Sequence, residues 1–431
     1  KRGTKSFDAN GAVGQKQNLP FEIKHSSEVE LKKIDNSEFH LLTIVSDRPE
    51  GAELSSAEFS ISGKRIEVNE KLDKIVIRGK GTLNLNPKKQ AQVTPIKFSK
   101  AGIPPLQQDS TQLNVQWDDG MIFDGSTIYF QQEVHAKTQQ QSPDGAIATL
   151  ETHSDAMSVE LRQRFSFRNP KNASPEIREF KFKNHIPNLD RAFQNNRRLL
   201  PDPVHPEPVR ILRQNFNAKR EQIQRVQAQM ALATVNIESG KTQLVGPGEI
   251  AIHRLNADNS GLPSLSFDQQ QKPNLGALSF IQIDFEREME IDSEGDRLIA
   301  DGGAHVFYDI TSNWNIPNQA NRNPGSVTLQ CETLAIDKWG PRNQEDQSVE
   351  LLASGNVSFE SDALDITADR ITYNGGAEMI TIKGNSRSDA NLIHRKFLGD
   401  LNPDRLNARS FNYFVKDKSL KADGMRQLNI N

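Results

Sequence analysis

The stretch "VELLASGNVSFESDALDITADRITYNGGAEMITIKGN" runs from Val349 to Asn385. Apolar side chains fall on alternate positions, broken by small turn-forming groups, and the Gly-Asn pair near its start returns at its end. Alternation at period two marks a strand with one buried face. The second half has a countable spacing: Ile371-x-Tyr373, six residues, Ile380, three residues, Gly384. The same spacing recurs at Ile66, Val68, Ile75 and Gly79, at Val235, Ile237, Leu244 and Gly248, and at Phe411, Tyr413, Leu420 and Gly424. A fifth copy, Leu334, Ile336, Leu351 and Gly355, carries eight extra residues in its link. Self-similarity at fixed spacing marks a repeat architecture. The links hold turn formers such as Asn374-Gly375-Gly376 and Ser239-Gly240, so each copy predicts a β-hairpin.

A second phrase overlaps the first. Leu364-x-Ile366-x-Ala368-Asp369-x-Ile371-x-Tyr373 aligns with Val327 to Ile336 and with Leu150 to Val159. In each, the apolar phase slips by one residue at a small side chain: Ala368, Cys331 or Ser154. A slip would turn the buried face outward unless the strand bends there, so a corner is expected at each small residue. This makes Cys331 a small corner residue rather than a reactive thiol.

A larger duplication contains these units. Leu113, Val115, Trp117, Met121 and Phe123 match Ile281, Ile283, Phe285, Met289 and Ile291 at a constant offset of 168. The expected organisation is two related β-units, residues 1–200 and 233–431, around a different segment at 201–232. That segment opens with the stiff "PDPVHPEP" and continues as "VRILRQNFNAKREQIQRVQAQMAL". Ile211, Leu212, Phe216, Ile223, Val226 and Met230 lie on one face of a helical projection, which predicts an amphipathic helix inserted between the halves.

The bulk numbers exclude several classes. The hydrophobic set makes up 35% of 431 residues, a lean core suited to an extended stack. A net charge of −3 offers no basic field for nucleic acid. A lone cysteine excludes an internal disulfide and zinc sites of the Cys type. The nine histidines form no H-x-H or H-E-x-x-H arrangement, and no phosphate-binding loop or G-x-S-x-G elbow is present. Of the acids Asp362, Asp365 and Asp369, the latter two alternate with apolar Leu364, Ile366 and Ala368, and the group reads as the solvated side of a strand, only weakly as a calcium site. "EREMEIDSEGD" reads as a charged edge and loop, and the Asn-rich stretch 313–323 as a solvated connection. No enzyme activity, cofactor or metal is therefore expected. The chain opens on Lys1 rather than Met, which reads as a mature form or excised fragment.

With these features assembled, the opening stretch resembles the repeat of the LptA/OstA family of lipopolysaccharide-transport proteins. The matching residues are Gly355-Asn356-Val357, the Ala368-Asp369 corner, Ile371-x-Tyr373 and the closing Gly384-Asn385. The resemblance covers Val349 to Asn431 well, is degraded over Leu278 to Asp337, and in the first half rests on the internal duplication. It implies an all-β fold of tandem β-jelly rolls, or β-tacos, in which two facing sheets leave one side open. It further implies a non-enzymatic protein of the periplasm or cell envelope that holds the acyl chains of lipopolysaccharide or another envelope lipid. Its partners would be other envelope transport proteins, or itself by end-to-end strand pairing. The groove candidates are Ile366, Ile371, Tyr373, Ile380, Ile382, Phe411, Tyr413, Val235, Ile237 and Leu244. Two alternatives stay open: a structural or adhesive β-solenoid with a filled core, and a carbohydrate-binding solenoid, which the low Trp and Tyr count disfavours.

Overall fold

The computed structural model describes residues 5–7, 21–35, 37–55, 59–85, 112–142, 144–165, 177–184, 207–255, 278–292, 297–317, 319, 322–339, 348–395, 400, 402–414, 416–417 and 419–429. Among the described residues the fold is all-β, with 74% strand and 0% helix. In chain order the first half holds β1 Lys5–Phe7, β2 Phe21–Lys24, β3 Glu28–Lys33, β4 His40–Val45, β5 Ala52–Ser55, β6 Phe59–Asn69, β7 Lys74–Leu85, β8 Gln112–Trp117, β9 Gly120–Phe123, β10 Thr127–Gln141, β11 Ile147–Leu161 and β12 Ile177–Lys183. It continues with β13 Val209–Phe216, β14 Gln222–Met230, β15 Leu232–Asn236, β16 Lys241–Val245, β17 Gly248–Leu255, β18 Leu278–Phe285, β19 Glu288–Asp292 and β20 Arg297–Thr311. The last are β21 Val327–Trp339, β22 Ser348–Ser361, β23 Leu364–Asn374, β24 Met379–Lys383, β25 Ala390–His394, β26 Asp404–Phe414 and β27 Ser419–Asn429.

The long strands bend in the middle, and their two halves pair with different neighbours. Residues 147–153 of β11 pair with β13, while 156–161 lie against β12. In β20, 304–311 pair with β18 and 298–301 with β19. The ladder therefore divides into two arms that share a line of bends. The first arm carries β13, β14, β17 and β18, and the second carries β12, β15, β16 and β19. Because β11 and β20 cross between the arms, these ten strands close into an antiparallel barrel, with further strands extending the ladder on either side.

The bends lie where the small residues predict them. Register shifts fall between Gln330 and Thr333, flanking Cys331, and between Ser354 and Val357 in β22. Another falls in β10, whose Val134 pairs with Ser154. Inward burial changes phase accordingly: Val327, Leu329 and Cys331 are buried before the bend, Leu334 after it. An extra residue at the bulge returns the next apolar side chain to the interior. Left-handed backbone supplies the turn, as in Gly302 (φ 81°) and Gly303 (φ 120°) of β20. At two equivalent bends an aromatic ring fills the inner angle. Trp117 and Phe285 are 0% and 2% exposed, and a Cβ on Gly81 or Gly248 would overlap the respective ring.

All five expected hairpins are present: β6–β7, β15–β16, β21–β22, β23–β24 and β26–β27. The expected helix is not. Residues 209–230 form β13 and β14, joined by a turn at 217–221. Both are interior strands, β13 between β11 and β14, β14 between β13 and β17. Val209, Asn215, Gln224, Ala228 and Met230 are buried at period two. The helical projection failed because Leu212, Phe216 and Ile223 face the other side of the sheet, where they are half-buried. Asn217 supplies the break: its Oδ1 accepts the N–H groups of Lys219 (2.9 Å) and Glu221 (3.0 Å). The charged "EREMEID" segment is likewise no edge, since β19 lies between β16 and β20. The Pro-rich 201–206 lies outside the described residues.

Candidate functional site

Cross-strand partners on the inner side of the second arm, beside the bends, form one unbroken apolar row. It reads Ile44, Ile66, Ile77, Met121, Phe130, Met157, Phe182, Ala233, Leu244, Met289, Ala300, Leu334, Ala353, Ile371, Ile382, Phe411 and Ala422. The first arm answers with a row from Ile61 to Leu406 in which Thr152 is the single polar member. Side chains of both arms join one hydrophobic cluster. One-sided alternation repeated on neighbouring strands gives such rows by necessity, because cross-strand partners share a face.

Burial separates two regimes one step further from the bends. In the first half this outer row is mostly closed: Val68, Ile75, Phe123 and Val159 are buried, while Leu42 and Ile128 are half-buried. From Phe180 through Val235, Thr242, Ile291, Leu298 and Ile336 to Leu351 it is half-buried. The arms thus leave apolar surface accessible along the middle of the molecule.

Where this half-open run ends, a cavity of about 50 Å³ lies between the arms. Val306, Tyr308, Val327, Leu329, Phe359 and Ile366 line it from the first arm, and Leu351, Ile371, Tyr373 and Ile380 from the second. Burial raises the Tyr308 and Tyr373 phenols above their ordinary range, with smaller contributions from Asp309 and Glu378 respectively.

Comparison with protein-family models and with curated proteins found no match to the chain.

Of the ten sequence-derived groove residues, Ile366, Ile371, Tyr373 and Ile380 line the cavity. Ile382 and Phe411 continue the row of Ile371, and Tyr413 pairs with Ile380. Val235 and Leu244 lie on the second arm far along the ladder, outside the cavity. Ile237 is in the β15–β16 turn, where its N–H donates to the Arg178 carbonyl at 2.8 Å. The acids belong to other contacts: Asp365 forms a two-pronged ion pair with Arg395, and Asp362 accepts the Gly325 N–H at 2.7 Å. Cys331 is buried, which pushes its thiol up to about 11, so it offers no nucleophile.

Two features escaped the sequence reading. The inner face of β13 and β14, on the first arm, carries a polar group. Arg213 Nε donates to Asn215 Oδ1 (3.3 Å), and Asn215 Nδ2 donates to Gln224 Oε1 (2.7 Å). Burial lowers the Arg213 guanidinium to about 10. Reading these residues as a helix hid the fact that they share one inward face. The second feature is on the outer side, where Trp314 and Asn315 of the Asn-rich connection lie over the first arm. His253 Nε2–H donates to the Asn315 carbonyl (2.9 Å), and the His253 ring lies 4.7 Å from Phe280. Part of that connection is therefore a packed cover rather than a solvated link.

Proposed function

We propose that the chain binds an amphipathic envelope lipid of the lipopolysaccharide type by its acyl chains, between the two arms, and carries or bridges it without catalysis. The observation behind this reading is the apolar inner row that runs through every hairpin, together with the row outside it, which is half-open from Phe180 to Leu351. Each methylene taken from water into such a surface gains roughly 0.8 kcal/mol, so a multi-chain lipid can be held with no reactive group. The Arg213–Asn215–Gln224 group would meet polar atoms of the lipid where it leaves the apolar run. The resemblance of Val349 to Asn431 to the LptA/OstA repeat adds the periplasm as location. It also adds neighbouring transport proteins, or a second copy, as partners through edge strands.

A second reading, a β-solenoid with a filled core, is favoured by the small cavity. A volume of about 50 Å³ is well short of an acyl chain, so lipid entry there requires the arms to part. The two readings separate in one experiment. The chain is produced in a Gram-negative envelope with a photo-crosslinking residue at Ile371, Tyr373 or Leu351, and the purified protein is extracted for lipid. Lipid in the extract together with crosslinks at these positions is expected. An extract without lipid and an absence of crosslinks would overturn the proposal in favour of the filled core.

A further inference from the structure

On the outer face of the first arm, three metal-competent side chains converge where β10 bends. His135 and His153 are cross-strand partners on β10 and β11, their rings stacked with centroids 4.2 Å apart. Glu133 reaches the same place from the bulge, its Oε2 2.7 Å from His153 Nε2. One donor atom from each of the three lies within 4.8 Å of the other two. Glu133 and His135 are exposed and His153 is half-buried, so an ion has an open path from solvent.

The internal duplication sharpens what is unusual here. The bend of β20 is made by Gly302 and Gly303, whereas that of β10 is made by Gln132 (φ 61°) and Glu133 (φ 48°). Left-handed backbone is uncommon for such residues and natural for glycine. The first half therefore holds a carboxylate at a position the second half leaves bare, and directs it to a histidine pair. The second half keeps only part of the arrangement, with His305 Nδ1 3.3 Å from Asp284 Oδ2. Arg210 is the cross-strand partner of His153 on its other side, but its guanidinium is paired with Glu207 at 3.3 Å.

We propose that Glu133, His135 and His153 bind one divalent transition-metal ion of the zinc, nickel or copper class. Two imidazoles and one carboxylate suit these borderline ions, with water completing the shell. Calcium and magnesium are disfavoured, since they require mostly oxygen ligands and the group offers one carboxylate. The ion would tie β10 to β11 at the bend and hold the corner that glycine shapes elsewhere. This site is on the outer face and does not depend on lipid between the arms.

The test uses the full chain, stripped of metal and titrated with Co²⁺ as a spectroscopic probe. One saturable equivalent, displaced by Zn²⁺, is expected. E133Q should weaken binding, and the H135A/H153A variant should lose it while keeping the unfolding midpoint of the metal-free chain. Electron paramagnetic resonance of the unaltered chain with Cu²⁺ should show two nitrogen ligands, a readout that needs no variant. Absence of saturable binding, retention of binding by H135A/H153A, or a Cu²⁺ spectrum without nitrogen ligands would each overturn the proposal.

Discussion

His253 is 0% exposed on the outer face of the first arm, beside Phe280 and Trp314. Burial lowers its pKa below the ordinary 6.5 and outweighs the opposing effect of the Asn315 carbonyl, with a lesser lowering from the nearby Arg225. A group depressed on folding contributes stability that is fully present above its unfolded value and is lost as pH falls through the folded one. Acidification below about 6.5 should therefore loosen the 312–317 cover before the sheet itself. Limited proteolysis of that segment across this pH range should show rising cleavage, and H253Q should flatten the dependence. A pH-independent cleavage pattern would show that His253 does not hold the cover. Nothing in the local sequence announced this contact, since His253 and Asn315 meet only through the path of a connection. By contrast, Ile366, Ile371, Tyr373 and Ile380 were legible, because strand alternation together with the bend expected at Ala368 assigns them one side.

The hairpin of β13 and β14 shows how an element can be misread. Its apolar residues fit a helical face, and its Gln, Arg and Lys content suits a helix as well as a solvated strand. The decision rests on pairing, as each strand has hydrogen-bonding neighbours on both sides. The turn between them depends on Asn217, whose side chain satisfies two backbone N–H groups and also donates to Glu221 at 2.8 Å. Replacing Asn217 by Ala should cost about 1–2 kcal/mol, given a net value near 1 kcal/mol for each such bond. Urea unfolding reads this as a lower midpoint with an unchanged slope. No change in midpoint would mean that the turn forms without its side-chain support. The five fixed-spacing hairpins needed no such arbitration, since turn formers and period-two alternation agreed at each.

Across the whole molecule the ladder leaves outer edges. Within the described residues β27 pairs only with β26 and β3 only with β4. On β27, Met425 is 48% and Leu428 46% exposed. An uncovered edge strand is a template for another strand, and lysine on the edge opposes such pairing. The chain should therefore associate in a concentration-dependent way, and M425K/L428K should shift it toward monomer in sedimentation analysis. A monomer at all concentrations would remove end-to-end pairing from the proposed function.

The sequence by itself determined the repeat, the hairpins, the bends and the apolar side of nearly every strand. Each of these follows from short-range rules of alternation, turn chemistry and residue size. Only the tertiary structure decided that 209–230 is strand, that β19 is interior, and that the outer row, mostly buried in the first half, is half-open from Phe180 to Leu351. It alone brought Glu133, His135 and His153 together. The reason is physical: burial and side-chain convergence depend on which strands pair and how far two arms approach, and neither is encoded within a single strand.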